Sequence, residues 1–150
     1  MVQQPSEEVV ERDRYRELLE ELRTVQPGVQ VLFAFLLTAP FSARFEQLDE
    51  LGRGGYMVAL VLAGVAVTLF LAPTSFHRVA PRDDRSHRIR VAVRLAVVGM
   101  LAVLLSISAA LFVVTRFIFG TVEGLIVSGV VLTSGSLLWY LLPLRRRLRS

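Results

Sequence analysis

Chemistry in an apolar environment needs an ionisable group placed there, and this chain keeps its charges almost entirely elsewhere. Three of its four long apolar runs, 27–43, 56–72 and 95–114, hold no acid, and the fourth, 125–142, is preceded by one, Glu123. Proton-coupled exchange of a cation relies on a protonatable carboxylate inside the apolar slab. About 20 helical residues cover a slab of ~30 Å. Counting back from Pro143 therefore sets Glu123 at the outer boundary, not at mid-depth. Its expected company is Arg116, across a short turn, and Arg44, at the end of the first run. An interfacial ion pair that fixes the turn is the favoured reading of Glu123, Arg116 and Arg44. An outward gate or cation site is the alternative.

The other reactive side chains point to less. His77 and His87 flank Arg82-Asp83-Asp84-Arg85, but the spacing matches no metal-ligand pattern such as histidines at i,i+4. The arginines among them would repel a cation. Zero cysteines remove disulfides, thiolate nucleophiles and Cys-zinc sites together. No phosphate-binding glycine loop, zinc-protease motif or nucleophile elbow occurs. The expectation is no enzyme activity, no cofactor and no metal. Nucleic acid is not an expected partner either, because the arginine clusters lie against apolar runs with no interleaved aromatics. Gln30, early in the first run, is an amide that needs a partner, with helix packing the plain reading.

The elements that position these residues follow from the runs. Apolar residues make up 53% of 150, concentrated in stretches of helix-spanning length. They predict an all-α integral membrane four-helix bundle with spans about 27–43, 56–72, 95–114 and 125–142. A separate acidic helix precedes it: Ser6 is placed to cap, Glu7 and Glu8 suit the first turn, and Tyr15, Leu18, Leu19, Leu22 and Val25 share a face. The division is 1–26 acidic amphipathic helix, 27–143 membrane domain, 144–150 basic tail. Pro27 fits a first helical position, Pro40 kinks the last turn of span one, and Pro73 halts span two. Residues 116–124 read as a brief turn. The start of the chain lacks a leader-like apolar core, so the first run is expected to be a retained anchor.

All 17 basic residues are arginine. Fourteen flank the runs on one side, in residues 1–26, 73–94 and 143–150, and three on the other. The positive-inside rule then places both termini and the 73–94 connection in the cytoplasm. The acidic helix, with seven acids against four arginines, does not suit anionic lipid; its docking surface is either the protein's own basic segments, which the charge favours, or a second copy of the same helix. Arg78, Arg82, Arg88, Arg90, Arg145, Arg146 and Arg147 are candidate lipid-headgroup contacts. In lipid, helices associate through small residues and a few polar contacts. Ala102, Ser106 and Ala110 on span three, and Gly124, Ser128 and Gly135 on span four, are the candidate packing positions, with spans three and four expected to pack closely through their short turn.

The run Pro27-Gly28-Val29-Gln30-Val31-Leu32-Phe33-Ala34-Phe35-Leu36-Leu37, with Pro40-Phe41, Arg44-Phe45, Ala72-Pro73, Phe76-His77-Arg78 and Trp139-Tyr140 before Pro143-Leu144-Arg145-Arg146, resembles an uncharacterised bacterial family of small four-span membrane proteins. The resemblance covers nearly the whole chain. It implies a multi-pass protein of the bacterial inner membrane with a domain of unknown function. For some members it implies a sodium:proton antiporter. The leading functional expectation is a non-enzymatic accessory or scaffold protein whose partners are membrane lipids and either a second copy or another membrane protein. The alternative is a small cation/proton antiporter-like transporter.

Overall fold

The computed structural model describes residues 7–79 and 85–141, with side chains described at 17, 20, 23–72 and 90–141. The chain is all-α: α1 Glu7–Thr38, α2 Glu50–Val79, α3 Arg85–Phe119 and α4 Thr121–Ser136. Two 3₁₀ turns, Ala39–Phe41 and Phe45–Gln47, connect α1 to α2, and α4 runs on into a wider π turn, Leu137–Leu141. Each helix carries a stretch long and apolar enough to cross a bilayer: Arg23–Phe41, Glu50–Ala72, Arg90–Phe119 and Thr121–Leu141. At 19 residues the first is the shortest.

The helix boundaries differ from expectation at three places. Pro27 lies inside α1, so the acidic segment and the first span are one continuous helix. A proline costs a helix one N–H and crowds the carbonyl four residues back. Here the ring is exposed, and the carbonyl it frees belongs to Arg23, at the polar edge of the apolar stretch, where water can satisfy it. The helical backbone of α2 likewise continues past Pro73 to Val79. Residues 116–119 are helical and the turn between α3 and α4 shrinks to Gly120 alone. With φ 120 and ψ 172, Gly120 occupies backbone space that is essentially closed to residues with a Cβ.

The helices run up and down in sequence, and α3 is the hub. Its Ala102–Ser106 side meets α2 and α1, and its opposite side meets α4. Two apolar clusters stack along the first face: Val29, Ala66, Phe70, Ala96, Ala102 and Val103 near one end, and Leu36, Tyr56, Ala59, Ala63 and Val113 near the other. Among the described residues α4 packs on α3 and makes no contact with α1 or α2.

Small residues set how closely the helices approach. The Phe70 ring lies on Gly99, where an added Cβ would stand 2.8 Å from it, and Leu104 of α3 fills the space over Gly135 of α4 more closely still. Gly55 of α2 meets Val113 in the same way, at 2.8 Å. The packing stripe on span three is thus divided from its expected partner. Ala102 and Ser106 are buried against α2, and Ala110 joins the second cluster. On the other face of α3, Leu104 packs on Gly135 of α4, and Gly124 of α4 sits on the Arg116 Cβ and the α3 backbone.

A side chain donating to a backbone carbonyl links every neighbouring pair. Gln26 Nε2 donates to the Phe70 carbonyl at 3.0 Å and Tyr56 to the Leu36 carbonyl, joining α1 to α2. Ser106 Oγ, fully buried, donates to Ala59 O at 2.7 Å, joining α3 to α2. Tyr140, in the π turn, donates to Val97 O at 3.0 Å, tying the end of α4 to α3. Carbonyls can accept a second bond without leaving their helix ladder, which makes such contacts the natural polar glue in lipid. Gln30 takes no part and is exposed. The buried face of α1 passes through Gln26, Val29, Phe33 and Leu36 at helical spacing, so the amide one turn before Gln30 is the one that meets α2.

Candidate functional site

A small group of polar side chains meets where the 39–49 connection approaches the Gly120 turn. Asp49 is the residue just before α2, and its Oδ1 accepts the Gly52 N–H at 2.9 Å, an N-cap that satisfies one of the helix's orphan donors. Arg116 lies in the last turn of α3, where a cation suits the negative end of the helix dipole. Its guanidinium holds Asp49 with both terminal nitrogens, at 2.7 Å to Oδ1 and 2.6 Å to Oδ2. Its Nε donates to Thr121 Oγ1 of α4 at 3.2 Å. One arginine therefore clamps the start of α2, the end of α3 and the start of α4. The bidentate bond to Arg116, followed by the Gly52 N–H, holds the Asp49 carboxyl well below the usual carboxylate range.

The structure does not bring the three expected residues together. Arg116 pairs with Asp49 in place of Glu123. Gly124 sits directly on the Arg116 Cβ and backbone, at 3.0 and 3.2 Å from where its own Cβ would be. The guanidinium therefore leaves past Thr121 towards the cap of α2. Glu123 is exposed in the first turn of α4, where an acid suits the dipole, and its Oε2 lies against Gly120. Arg44 is exposed and makes no ion pair among the described residues. Sequence reasoning passed over Asp49, although an Asp three residues before Gly52 and directly ahead of an apolar run carries a helix-start signal.

Two hollows border the clamp. A polar one of about 230 Å³ is lined by Gln47, Leu48, Asp49, Arg116, Phe117 and Thr121. An apolar one of about 260 Å³ lies between the 39–49 connection and α3. With both partners of the clamp already paired, the polar hollow has no free charge to hold an ion. Among the described residues, no group of three His, Asp or Glu stands ready for a metal.

The remaining candidates divide as follows. Ala102, Ser106, Gly124 and Gly135 are buried, while Ala110 and Ser128 are half-buried. Ser128 Oγ turns back to the Leu125 carbonyl at 3.3 Å and does not bridge helices. Arg90 is exposed. The side chains of Arg78, Arg82, Arg88, Arg145, Arg146 and Arg147, with His77, His87 and the expected Ser6 and Ser86 caps, lie outside the described residues.

Four apolar helices, interlocked at glycines and sealed by donors to carbonyls, define an all-α membrane protein. The chain belongs to a family of unknown function, DUF6328, whose model matches residues 3–143. No curated protein and no solved structure matches it.

Proposed function

We propose that this is a non-enzymatic accessory or scaffold protein of the bacterial cytoplasmic membrane, with both termini in the cytoplasm. The observation that carries this reading is the continuity of α1 from Glu7 to Thr38. The acidic segment is a direct extension of the first span, about 24 Å of helix before the apolar stretch begins at Arg23. A helix fixed to the membrane at one end and charged along its length suits the presentation of a surface to a basic partner. The arginine distribution supports the orientation. The partner is another membrane-associated protein or the basic segment of a second copy.

The antiporter-like alternative requires a carboxylate free to take up and release a proton. Of the acids near the apolar stretches, Asp49 is committed to Arg116, and Glu46, Glu50 and Glu123 stand exposed at the edges. Proteoliposomes containing the full chain are expected to show no Na⁺ or H⁺ flux above empty vesicles. Flux that disappears in Glu123→Gln would replace the accessory reading with transport. Site-specific crosslinking from Glu17 or Glu20 is expected to capture one defined partner. Capture should be lost when the acids of residues 7–21 are neutralised.

A further inference from the structure

We propose that the apolar crevice beside the 39–49 connection is a lipid site. It takes one acyl chain of an anionic phospholipid, and Arg44 at its rim pairs with the phosphate. The inference rests only on the helices spanning a bilayer, not on the accessory role. The crevice measures about 260 Å³, many times the ~10–15 Å³ that one water needs. Leu36, Leu48, Tyr56, Ala110, Val113 and Phe117 are among the residues that wall it. Its hydroxyls are already committed, Tyr56 to the Leu36 carbonyl and Ser42 to the Ala39 carbonyl at 2.8 Å. Water gains few hydrogen bonds there, and a hydrocarbon chain gains contact along the whole wall.

The charge at the rim selects the headgroup. No acid lines the crevice. Of the arginines at this end, Arg53 donates to the Glu46 carbonyl at 3.0 Å and Arg116 holds Asp49. The Arg44 guanidinium has no hydrogen bond or ion pair among the described residues. A guanidinium matches phosphate with two parallel N–H donors. Val114 and Ile118 on the crevice wall are 55% and 61% exposed, and neighbouring Phe41 is 89% exposed. The opening is thus framed by hydrocarbon and faces where lipid chains lie. A water-soluble phosphate would use Arg44 and leave the cavity empty. The phospholipid satisfies both.

The test is lipid binding to the detergent-solubilised full chain, read by native mass spectrometry and by the shift in melting temperature. Phosphatidylglycerol is expected to bind about tenfold more tightly than diacylglycerol, which has the same chains and no phosphate, the scale of one charge-assisted contact. Arg44→Gln should remove that preference, while Arg53→Gln, whose side chain already donates to the Glu46 carbonyl, should keep it. Ala110→Phe, which fills the crevice, should weaken both lipids. If that variant loses its fold, Arg44→Gln alone decides. Phosphatidylglycerol binding unchanged in Arg44→Gln would overturn the proposal. So would saturation by oleate under conditions where phosphatidylglycerol does not bind.

Discussion

Arg116 is the residue on which three helix ends converge, and its loss should be felt at all three. Asp49→Ala removes both the cap of α2 and the acceptor of the clamp, so it should lower the melting temperature more than Arg116→Gln. In a double-mutant cycle the two should be strongly non-additive. The pH dependence has a defined sign. The folded carboxyl titrates below the ordinary value of 3.8, so its stabilisation is complete above that value and is lost as pH falls through the lower, folded one. The melting difference between wild type and Asp49→Asn should stay constant from neutral pH down to about 4 and shrink below it. Gly120 gives a second test at this scale. Gly120→Ala should cost about 1–3 kcal/mol, measured by thermal or denaturant unfolding in detergent, because its backbone angles tolerate no Cβ. Neither Asp49 nor its partner was legible as a pair in the sequence. Sixty-seven residues separate them, and Glu123 is the nearer acid along the chain. In the fold Gly124 packs on the Arg116 Cβ and backbone, and the guanidinium reaches Thr121 and Asp49.

At the scale of elements, apolar run length made four helices legible, because lipid leaves the backbone no other way to satisfy itself. Proline made poor boundaries for the same reason. Pro27 and Pro73 mark where the apolar stretches meet polar sequence, not where the helices stop. Pro27→Ala should therefore leave the fold intact and raise its melting temperature, since about 3 kcal/mol of helix penalty is relieved at an exposed site. Small-residue stripes were legible as packing surfaces, but their pairing was not. Ala102 and Ser106 could have faced either neighbour, and the choice of α2 depends on where Leu104, across the helix, finds a cavity. That cavity is Gly135. Gly135→Leu should push α4 off α3 and expose Tyr140, seen as loss of protection in hydrogen exchange of the α4 backbone. Ser106→Ala should cost only about 0.6–1.7 kcal/mol, the usual worth of an interhelical bond in membranes.

For the molecule as a whole, the claim is that lipid is its solvent and that the Arg116 clamp and the lipid crevice lie on the face opposite the acidic helix. The absence of native cysteine gives a direct measurement. Single substitutions Ser6→Cys, Gln47→Cys and Ser150→Cys can be probed in intact cells with a membrane-impermeant maleimide. Gln47→Cys should label from outside, and Ser6→Cys and Ser150→Cys only after the membrane is permeabilised. Labelling of Ser150→Cys in intact cells with Gln47→Cys protected would contradict the orientation, and equal labelling of all three in a detergent-free soluble fraction would contradict the membrane fold itself.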